Sequence, residues 1–376
     1  MNSYFLFSQQ GWQLVGWTMV YSLALGTGIV LLGGAIRWLS RNAPAQFRYA
    51  ISLFTLATLA VLPGGIVAWL VSSGSFTSTL PRKVSFAQPT AQLATDVAPP
   101  VDGPSVPILE PPHAADAPQI VEAPVEAYSA LSTSPFDWNQ AVAWLPWVWL
   151  VGTPLTFLLL ATGLVGAERL RQNSQPLVEG RVYDACQELR EKLGLTLNVS
   201  LAVCDRVATP LLIGIVRPLI LLPPAALTGW SPEQLEMVLL HELAHVRRWD
   251  NLVNLLQRLV ESLLFFHPGV WIASRWVRHD REDCCDAVVL QHTNKPQDYA
   301  ELLVALASTT SPLASVALAK HPLTGRIRRI LKMPDEPMRV TRRTLGTAIA
   351  LLASVLITIS CYNPSTTEAE DAVANK

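Results

Sequence analysis

The chain has 376 residues and a formal net charge of −1; half of its residues are hydrophobic and only 15% are charged. Soluble domains average about 25% charged residues, so this composition indicates a membrane protein rather than a soluble enzyme. The near-zero charge argues against direct nucleic-acid binding, and five irregularly spaced cysteines argue against a disulfide framework.

Four segments are apolar over enough length to cross a hydrocarbon core, which takes roughly 20 helical residues. None carries an internal charge, and tryptophans lie near several predicted ends, where amphipathic rings favour the interface. The alternative, buried helices of a soluble protein, fits four such segments poorly. The predicted spans are residues 14–36, 49–71, 141–165 and 344–361.

Arginine clusters beside these segments predict their orientation, because cations close to a span stay on the cytoplasmic side. Three clusters agree on one topology, with the N-terminus outside. They are Arg37, Arg41 and Arg48; Arg169 and Arg171; and Arg339, Arg342 and Arg343. Residues 1–71 are predicted to form two transmembrane helices with a short basic cytoplasmic loop, followed by an extracytoplasmic loop at 72–140. A third transmembrane helix at 141–166 leads to a cytoplasmic domain at 167–343. A fourth transmembrane helix at 344–361 and a short extracytoplasmic tail at 362–376 follow.

The 72–140 loop is rich in proline, alanine and acidic residues. Such a segment buries too little apolar surface to offset its ordering entropy, so we expect a flexible or polyproline-like spacer. A receptor for an external stimulus is the alternative function of this loop.

The 167–343 segment has a mixed pattern. Residues 182–193 have helical periodicity, whereas 201–203 and 211–222 favour strands, the second broken by Gly214 and Pro218. Ser231 is a suitable N-cap for a helix that runs through Arg248. Residues 252–276 are apolar but include charges, which favours core or membrane-surface helices over a fifth span. The predicted fold class is therefore an α+β membrane protein, with about four transmembrane helices and a mainly helical domain carrying a small β-hairpin or sheet.

The motif HELAH at 241–245 carries the chemistry of this domain. Two imidazoles four residues apart share one helical face, so His241 and His245 can reach a single tetrahedral zinc ion. Glu242 lies between them and can polarise the attacking water and pass its proton to a leaving amine. The motif alone is weak evidence, but it lies in an apolar helix where two histidines without a role would be costly to bury.

A catalytic zinc site of this type has three protein ligands and leaves one position open. The donor-rich segment 279–290 supplies the third, and we predict Glu282 as that ligand. Asp286, one helical turn later, is predicted to accept a hydrogen bond from a ligand imidazole and so orient it. Spacing alone leaves four rivals for the third ligand: Asp280, Asp283, Cys284 and Cys285.

With these residues in place, the sequence resembles the BlaR/MecR-type membrane zinc metallopeptidases. The similar segments are TPLLIGIVRPLILLP at 209–223, LLHELAHVRRWDN at 239–251, FFHPGVWIASRWVRHDREDCCDAVVL at 265–290 and HPLTGRIRRIL at 321–331. The resemblance implies a zincin-like peptidase domain in which His241, His245 and Glu282 bind zinc, Glu242 is catalytic and Asp286 completes the pattern. It also implies a multi-pass protein of the bacterial cytoplasmic membrane whose active site faces the cytoplasm.

The function implied is a regulatory endopeptidase that cleaves itself, a cytoplasmic transcriptional repressor, or both, after an external signal. The family's antibiotic sensors carry a penicillin-binding domain after the fourth span, whereas about fifteen residues follow it here, so the sequence does not predict beta-lactam sensing. Two alternatives remain: a quality-control metalloprotease of membrane proteins, and a catalytically silent signalling scaffold. The expected partners are a protein or peptide substrate and the lipid bilayer.

Other polar residues of the domain have less specific roles. His267 is expected to be structural, His279 and His292 to be surface residues, and Asp250 either to support the site or to be solvated at a helix end. The arginines of the last matching segment are expected to face anionic lipid headgroups. These are Arg326, Arg328 and Arg329.

Overall fold

The computed structural model describes residues 9–73, 138–310 and 322–333. The predicted fourth span, the tail and nearly all of the 72–140 loop lie outside the described residues. The elements in chain order are α1 Gln9–Leu39, α2 Ala45–Ser72, α3 Trp138–Gln172, β1 Gln175–Leu177, α4 Arg181–Lys192, β2 Ser200–Val203, β3 Leu211–Ile213, β4 Leu219–Leu222, α5 Ala225–Thr228, α6 Pro232–Arg247, α7 Asp250–Leu263, α8 Pro268–Thr293, α9 Pro296–Thr310 and α10 Pro322–Ile330.

Three of the described helices are long and apolar enough to cross a membrane: Gly11–Leu39, Ala45–Ser72 and Val142–Gln172. They coincide with the first three spans expected from the sequence. Between α1 and α3, Trp12 stacks on Trp147 with ring centroids 4.9 Å apart. Many leucines of α3 face outward and are more than half exposed, as a lipid-facing surface requires.

A small mixed sheet has the strand order β1-β2-β4-β3, in which β2 and β4 are parallel and the other pairs antiparallel. The strand pair expected at 211–222 is present as β3 and β4. Gly214 opens the connecting turn with a φ of 83°, and a Cβ there would lie 2.5 Å from the carbonyl oxygen of Arg217. Ile215 lies in this turn rather than in a strand. Among the described residues, β3 pairs with β4 alone and is therefore an edge strand of the sheet.

The main core lies between the sheet and helices α4, α6 and α9. Ser231 caps α6 as expected: its Oγ accepts from Gln234 N at 3.2 Å, and Gln234 Oε1 accepts from Ser231 N at 3.0 Å. This reciprocal pair satisfies donors at the helix start. The apolar side of α6 fills the core with Leu239, Leu240 and Leu243, all fully buried.

Helix α8 belongs to two cores. In its first half, Val270, Ala273 and Val277 pack with residues of α1 and α2. In its second half, Val289 joins the core beneath the sheet. One continuous helix of 26 residues thus connects the apolar helices to the domain that carries the HELAH motif.

Candidate metal centre

Helix α6 presents its two motif histidines to the same cavity. The rings of His241 and His245 are perpendicular, with centroids 4.9 Å apart, as four-residue spacing on a helix requires. Glu242 lines the same cavity, which has a volume of about 580 Å³. Edge-strand residues Leu211 and Leu212 form part of its wall.

Helix α8 brings Glu282 to both imidazoles. Glu282 Oε2 lies 3.5 Å from His241 Nε2, and Oε1 lies 3.9 Å from His245 Nε2. One donor atom from each of the three residues lies within 4.8 Å of the others. Zinc bonds of about 2.0–2.2 Å at tetrahedral angles separate ligand atoms by roughly 3.3–3.5 Å. The donor set and its spacing therefore fit one zinc ion with little adjustment.

The second nitrogen of His245 is held by a buried carboxylate. Asp250 is 2% exposed at the start of α7, and its Oδ2 lies 2.7 Å from His245 Nδ1. Cys285 Sγ lies 3.3 Å from the same nitrogen. A carboxylate at Nδ1 favours the tautomer in which Nε2 is free to bind a metal. Of the two roles considered for Asp250, the structure shows the supporting contact.

His241 is held by a tyrosine that sequence reasoning missed. The hydroxyl of Tyr299 donates to Asp286 Oδ1 at 2.8 Å, so its oxygen is free to accept from His241 Nδ1 at 2.9 Å. Asp286 itself lies 3.4 Å from that nitrogen. The expected carboxylate at this imidazole is thus present, but the shorter contact is made through Tyr299. Nothing in the local sequence around Tyr299, 58 residues away, indicates this contact.

Arg326 of α10 contacts acidic residues of α8 at the candidate metal centre rather than lipid headgroups. Its Nε donates to Asp286 Oδ2 at 2.8 Å and its Nη2 to Asp286 Oδ1 at 2.6 Å. Its Nη1 lies 3.3 Å from Glu282 Oε2. Arg329 likewise pairs with Asp283. The headgroup expectation was wrong for both arginines, because acidic residues of α8 face this helix.

These contacts shift the pKa values of the site. Burial alone would raise the pKa of Glu282 and of Asp286, but hydrogen bonds and positive neighbours lower both, with His241 first for Glu282 and Arg326 first for Asp286. Burial lowers the pKa of His241, but hydrogen bonds to Asp286 and Glu282 outweigh it and raise the pKa to about 9. The metal-free site therefore holds a proton on His241 at neutral pH, which a metal ion must displace.

Asp280 and Asp283, two of the four rivals of Glu282, have other partners. Asp280 accepts from Arg37 Nη2 at 2.7 Å and from Ser52 Oγ at 2.6 Å, and Asp283 accepts from Arg48 Nη2 at 2.8 Å. These carboxylates bind the ends of α1 and α2. Cys284 is buried, and burial raises the pKa of its thiol, so a thiolate ligand is disfavoured there.

The remaining histidines lie away from the three candidate ligands. His267 is 1% exposed, as the structural role predicts: its Nδ1 accepts from Gly269 N at 3.0 Å, and its Nε2 donates to Ser22 O at 3.0 Å. His279 contacts Arg329 and Asp283, so it is not simply a solvated surface residue. His292 is exposed near the end of α8.

Comparison with known proteins identifies one matching family and several similar relatives. A family model described as BlaR1 peptidase M56 matches residues 35–330. The chain is 26% identical over 176 residues to the regulatory protein BlaR1 of Bacillus licheniformis, covering 46% of this chain and 29% of that protein. It is 20% identical over 167 residues to the methicillin resistance mecR1 protein of Staphylococcus aureus, covering 44% of this chain and 28% of that protein. The chain thus aligns with less than a third of the length of these relatives.

Proposed function

This chain belongs to the BlaR1 peptidase M56 family, and on that premise we propose that it is a membrane-bound, zinc-dependent endopeptidase with a regulatory role. His241, His245 and Glu282 hold the ion, Glu242 is the catalytic base, and Asp286 helps to orient His241. The observation that carries this proposal is the convergence of donor atoms from His241, His245 and Glu282. The second nitrogen of each imidazole is already held, by Asp250 in His245 and by Tyr299 in His241. Such pairing is typical of a preformed metal site.

In peptide hydrolysis at this site, the metal ion and the protein side chains have different roles. When bound, zinc supplies Lewis acidity, which lowers the pKa of water and polarises the scissile carbonyl. The Glu242 carboxylate, in the same cavity, accepts a proton from the attacking water and returns it to the leaving amine. Asp250 and Tyr299 hold the two imidazoles in the orientation that these steps require.

The free edge of the sheet gives an extended substrate a place to bind. Strand β3 lies at the edge, and Thr209, Pro210, Leu211 and Leu212 line the cavity together with His241 and Glu242. A peptide added as one more strand gains main-chain hydrogen bonds with little side-chain requirement. We infer that substrates cross the metal centre in this way.

We further propose a cytoplasmic active site. The topology predicted from the arginine clusters places residues 167–343 in the cytoplasm, residues 72–140 and 362–376 outside, and a fourth span at 344–361. A reporter that is active only outside the membrane should function when fused near residue 110 and fail near residue 200. The reverse pattern would overturn this orientation.

The regulatory role includes cleavage of the chain itself, of a cytoplasmic repressor, or of both after an external signal. The two relatives are a regulatory protein and a resistance protein by name, which supports regulation over general quality control. A gene for a winged-helix repressor beside the gene for this chain would support the same choice. Incubation of that repressor with the purified chain, with or without zinc, tests it directly.

The metal assignment is tested by zinc content and turnover in purified protein. Wild type should contain about one zinc per chain, and His245→Ala should lose most of it. Glu242→Gln should keep the zinc and lose peptide hydrolysis, because the ligands remain and the base does not. Equal zinc in wild type and His245→Ala, or full turnover in Glu242→Gln, would contradict the assignment.

A further inference from the structure

Two polar side chains of helix α7 are buried, while several of its leucines are exposed. Gln257 and Glu261 are 1% and 3% exposed, whereas Leu256 and Leu263 are 53% and 42% exposed. A helix that packs on a core beside water has the opposite arrangement. The outward face of α7 therefore suits a hydrocarbon neighbour.

The turn between α7 and α8 lies against the middle of the first span. The span Gly11–Leu39 is centred on Leu25. His267, in the turn, donates to the carbonyl oxygen of Ser22 and lies against Gly26. In the second span, Leu59 is close to the centre and shares a cluster with Leu264 of the turn.

Contacts with the third span place the turn between α7 and α8 at the same depth. This span covers Val142–Gln172, with Phe157 at its centre. Thr156 Oγ1 lies 3.0 Å from the carbonyl oxygen of Ser262. Phe265 lies against Gly152. Gly152 is one helical turn farther than Thr156 from Gln172, the end of α3 that leads into the domain. The turn thus reaches the centre of all three candidate spans.

From this turn, α8 runs back beside α1. Trp276 lies 3.2 Å from the Cβ position of Gly34, and Asp280 binds Arg37 at the end of the span. The 13 residues from His267 to Asp280 rise about 20 Å at 1.5 Å per residue. Half of a hydrocarbon core is about 15 Å thick. The first half of α8 therefore covers the depth of one membrane leaflet.

The buried Glu261 and the amide nitrogen of Gln257 have partners within the hairpin, whereas Gln257 Oε1 has none among the described residues. Glu261 binds Arg278 Nη1 at 2.6 Å and Arg258 Nη1 at 3.0 Å, and Gln257 donates to Ser274 O at 3.1 Å. Arg258 also lines a groove between α3 and α7. Such pairing is what an ionisable group at membrane depth requires. The exposed large apolar side chains of the hairpin are Leu252, Leu256, Leu263, Trp271 and Ile272.

We propose that α7 and the first half of α8 form a re-entrant hairpin that enters the bilayer from the side of the metal centre and turns near its midplane. Lipid acyl chains cover its outer face, which continues the exposed apolar surface of the three spans. The proposal rests on the membrane crossing of α1, α2 and α3 and does not depend on peptidase activity.

The hairpin also sets the height of the metal centre. Glu282 follows His267 by 15 residues on the same helix, about 22 Å along its axis. With the turn at the midplane, Glu282 lies about 7 Å outside the hydrocarbon. A substrate must then present its cleavage site within about one headgroup layer of the membrane.

Cysteine accessibility in the full chain, reconstituted in liposomes, tests the hairpin. Leu263→Cys and Ile272→Cys probe it, Leu158→Cys probes the outer face of α3, and Val178→Cys, 71% exposed beside β1, probes water. Wild type gives the background, because its described cysteines are all buried. The liposomes are opened so that a membrane-impermeant maleimide reaches both sides.

Both hairpin variants should label at least tenfold more slowly than Val178→Cys and resemble Leu158→Cys. Nitroxides at the same positions should collide more with oxygen than with a water-soluble nickel chelate. Fast labelling of both hairpin variants beside a protected Leu158→Cys would overturn the hairpin. Fast labelling of Leu158→Cys would overturn the membrane placement of the spans and the hairpin with them. Zinc content and turnover are separate measurements, so failure of the proposed peptidase function is distinguishable.

Discussion

Replacing Asp250 by Asn tests how far the metal centre depends on the groups behind its ligands. The Oδ2 atom of Asp250 is 2.7 Å from His245 Nδ1, and the residue is 2% exposed. Asparagine keeps an acceptor of the same shape but removes the charge. A hydrogen bond to a charged group contributes about 1.5–3 kcal/mol and a neutral one about 0.5–1.5 kcal/mol. The difference of about 1.25 kcal/mol between the midpoints of these ranges predicts roughly eightfold weaker zinc binding.

Asp250→Ala removes the acceptor altogether and should cost more, up to about a hundredfold in zinc affinity. The assay is competition for zinc between metal-stripped, detergent-purified protein and a fluorescent chelator at pH 7.5. Asp280→Asn is the matched control, because Asp280 is also a buried carboxylate but pairs with Arg37 and Ser52 instead of a ligand imidazole. It should bind zinc like wild type.

Two results would refute this reasoning. Wild-type zinc affinity in both Asp250 variants would show that the contact with His245 does not organise the site. An equal loss in Asp280→Asn would show that any buried charge change disturbs the fold enough to weaken zinc binding.

Three further predictions concern the proton, the arginine and the sheet edge. His241 has a raised pKa of about 9 without metal, so zinc affinity should rise with pH up to about 9 and level off above it. Calorimetry in buffers of different ionisation enthalpy should then detect about one proton released per zinc at pH 7.5, and none would contradict the shift. Arg326→Gln leaves the buried Asp286 without its arginine partner, so that Tyr299 and His241 remain beside it. This change should lower the unfolding free energy by up to about 3–5 kcal/mol in denaturant titration, whereas adding Asp286→Asn should recover part of the loss. Proline at Leu211 or Ile213, the ends of the edge strand, should weaken peptide cleavage in at least one variant while both keep their zinc; unchanged cleavage in both would locate substrate binding elsewhere.

The parts of the fold that depend on local pattern were predictable from the sequence. Uninterrupted apolar runs predicted the first three spans, and Gly214 with Pro218 predicted the turn between β3 and β4. Helical spacing predicted that His241 and His245 share a face, whereas the donor-rich segment 279–290 by itself left four rivals to Glu282, the residue favoured by the family resemblance. The spans, the turn and the shared face of the two histidines need only the geometry of one helix or one strand pair.

The contacts between helices distant in sequence were not predictable in the same way. Tyr299 reaches His241 across 58 residues, and Arg326 reaches Asp286 across 40. A basic helix such as α10 has the same composition whether it faces lipid headgroups or buried carboxylates. Its partners are set by the position of α8, which no local pattern specifies. The burial of Gln257 and Glu261 in α7 was not predictable either, because an apolar helix with a few charges can lie in a core or on a membrane surface.

The acidic residues of α8 point in two directions, and this links the membrane helices to the metal centre. Asp280 and Asp283 pair with Arg37 and Arg48 from the first two spans, at 2.7 and 2.8 Å. Glu282, between them in sequence, faces the two histidines instead. Breaking a buried ion pair costs about 3–5 kcal/mol, so sliding α8 past both spans would break two such pairs at once. A rigid displacement of α1 and α2 would therefore carry α8, and Glu282 with it.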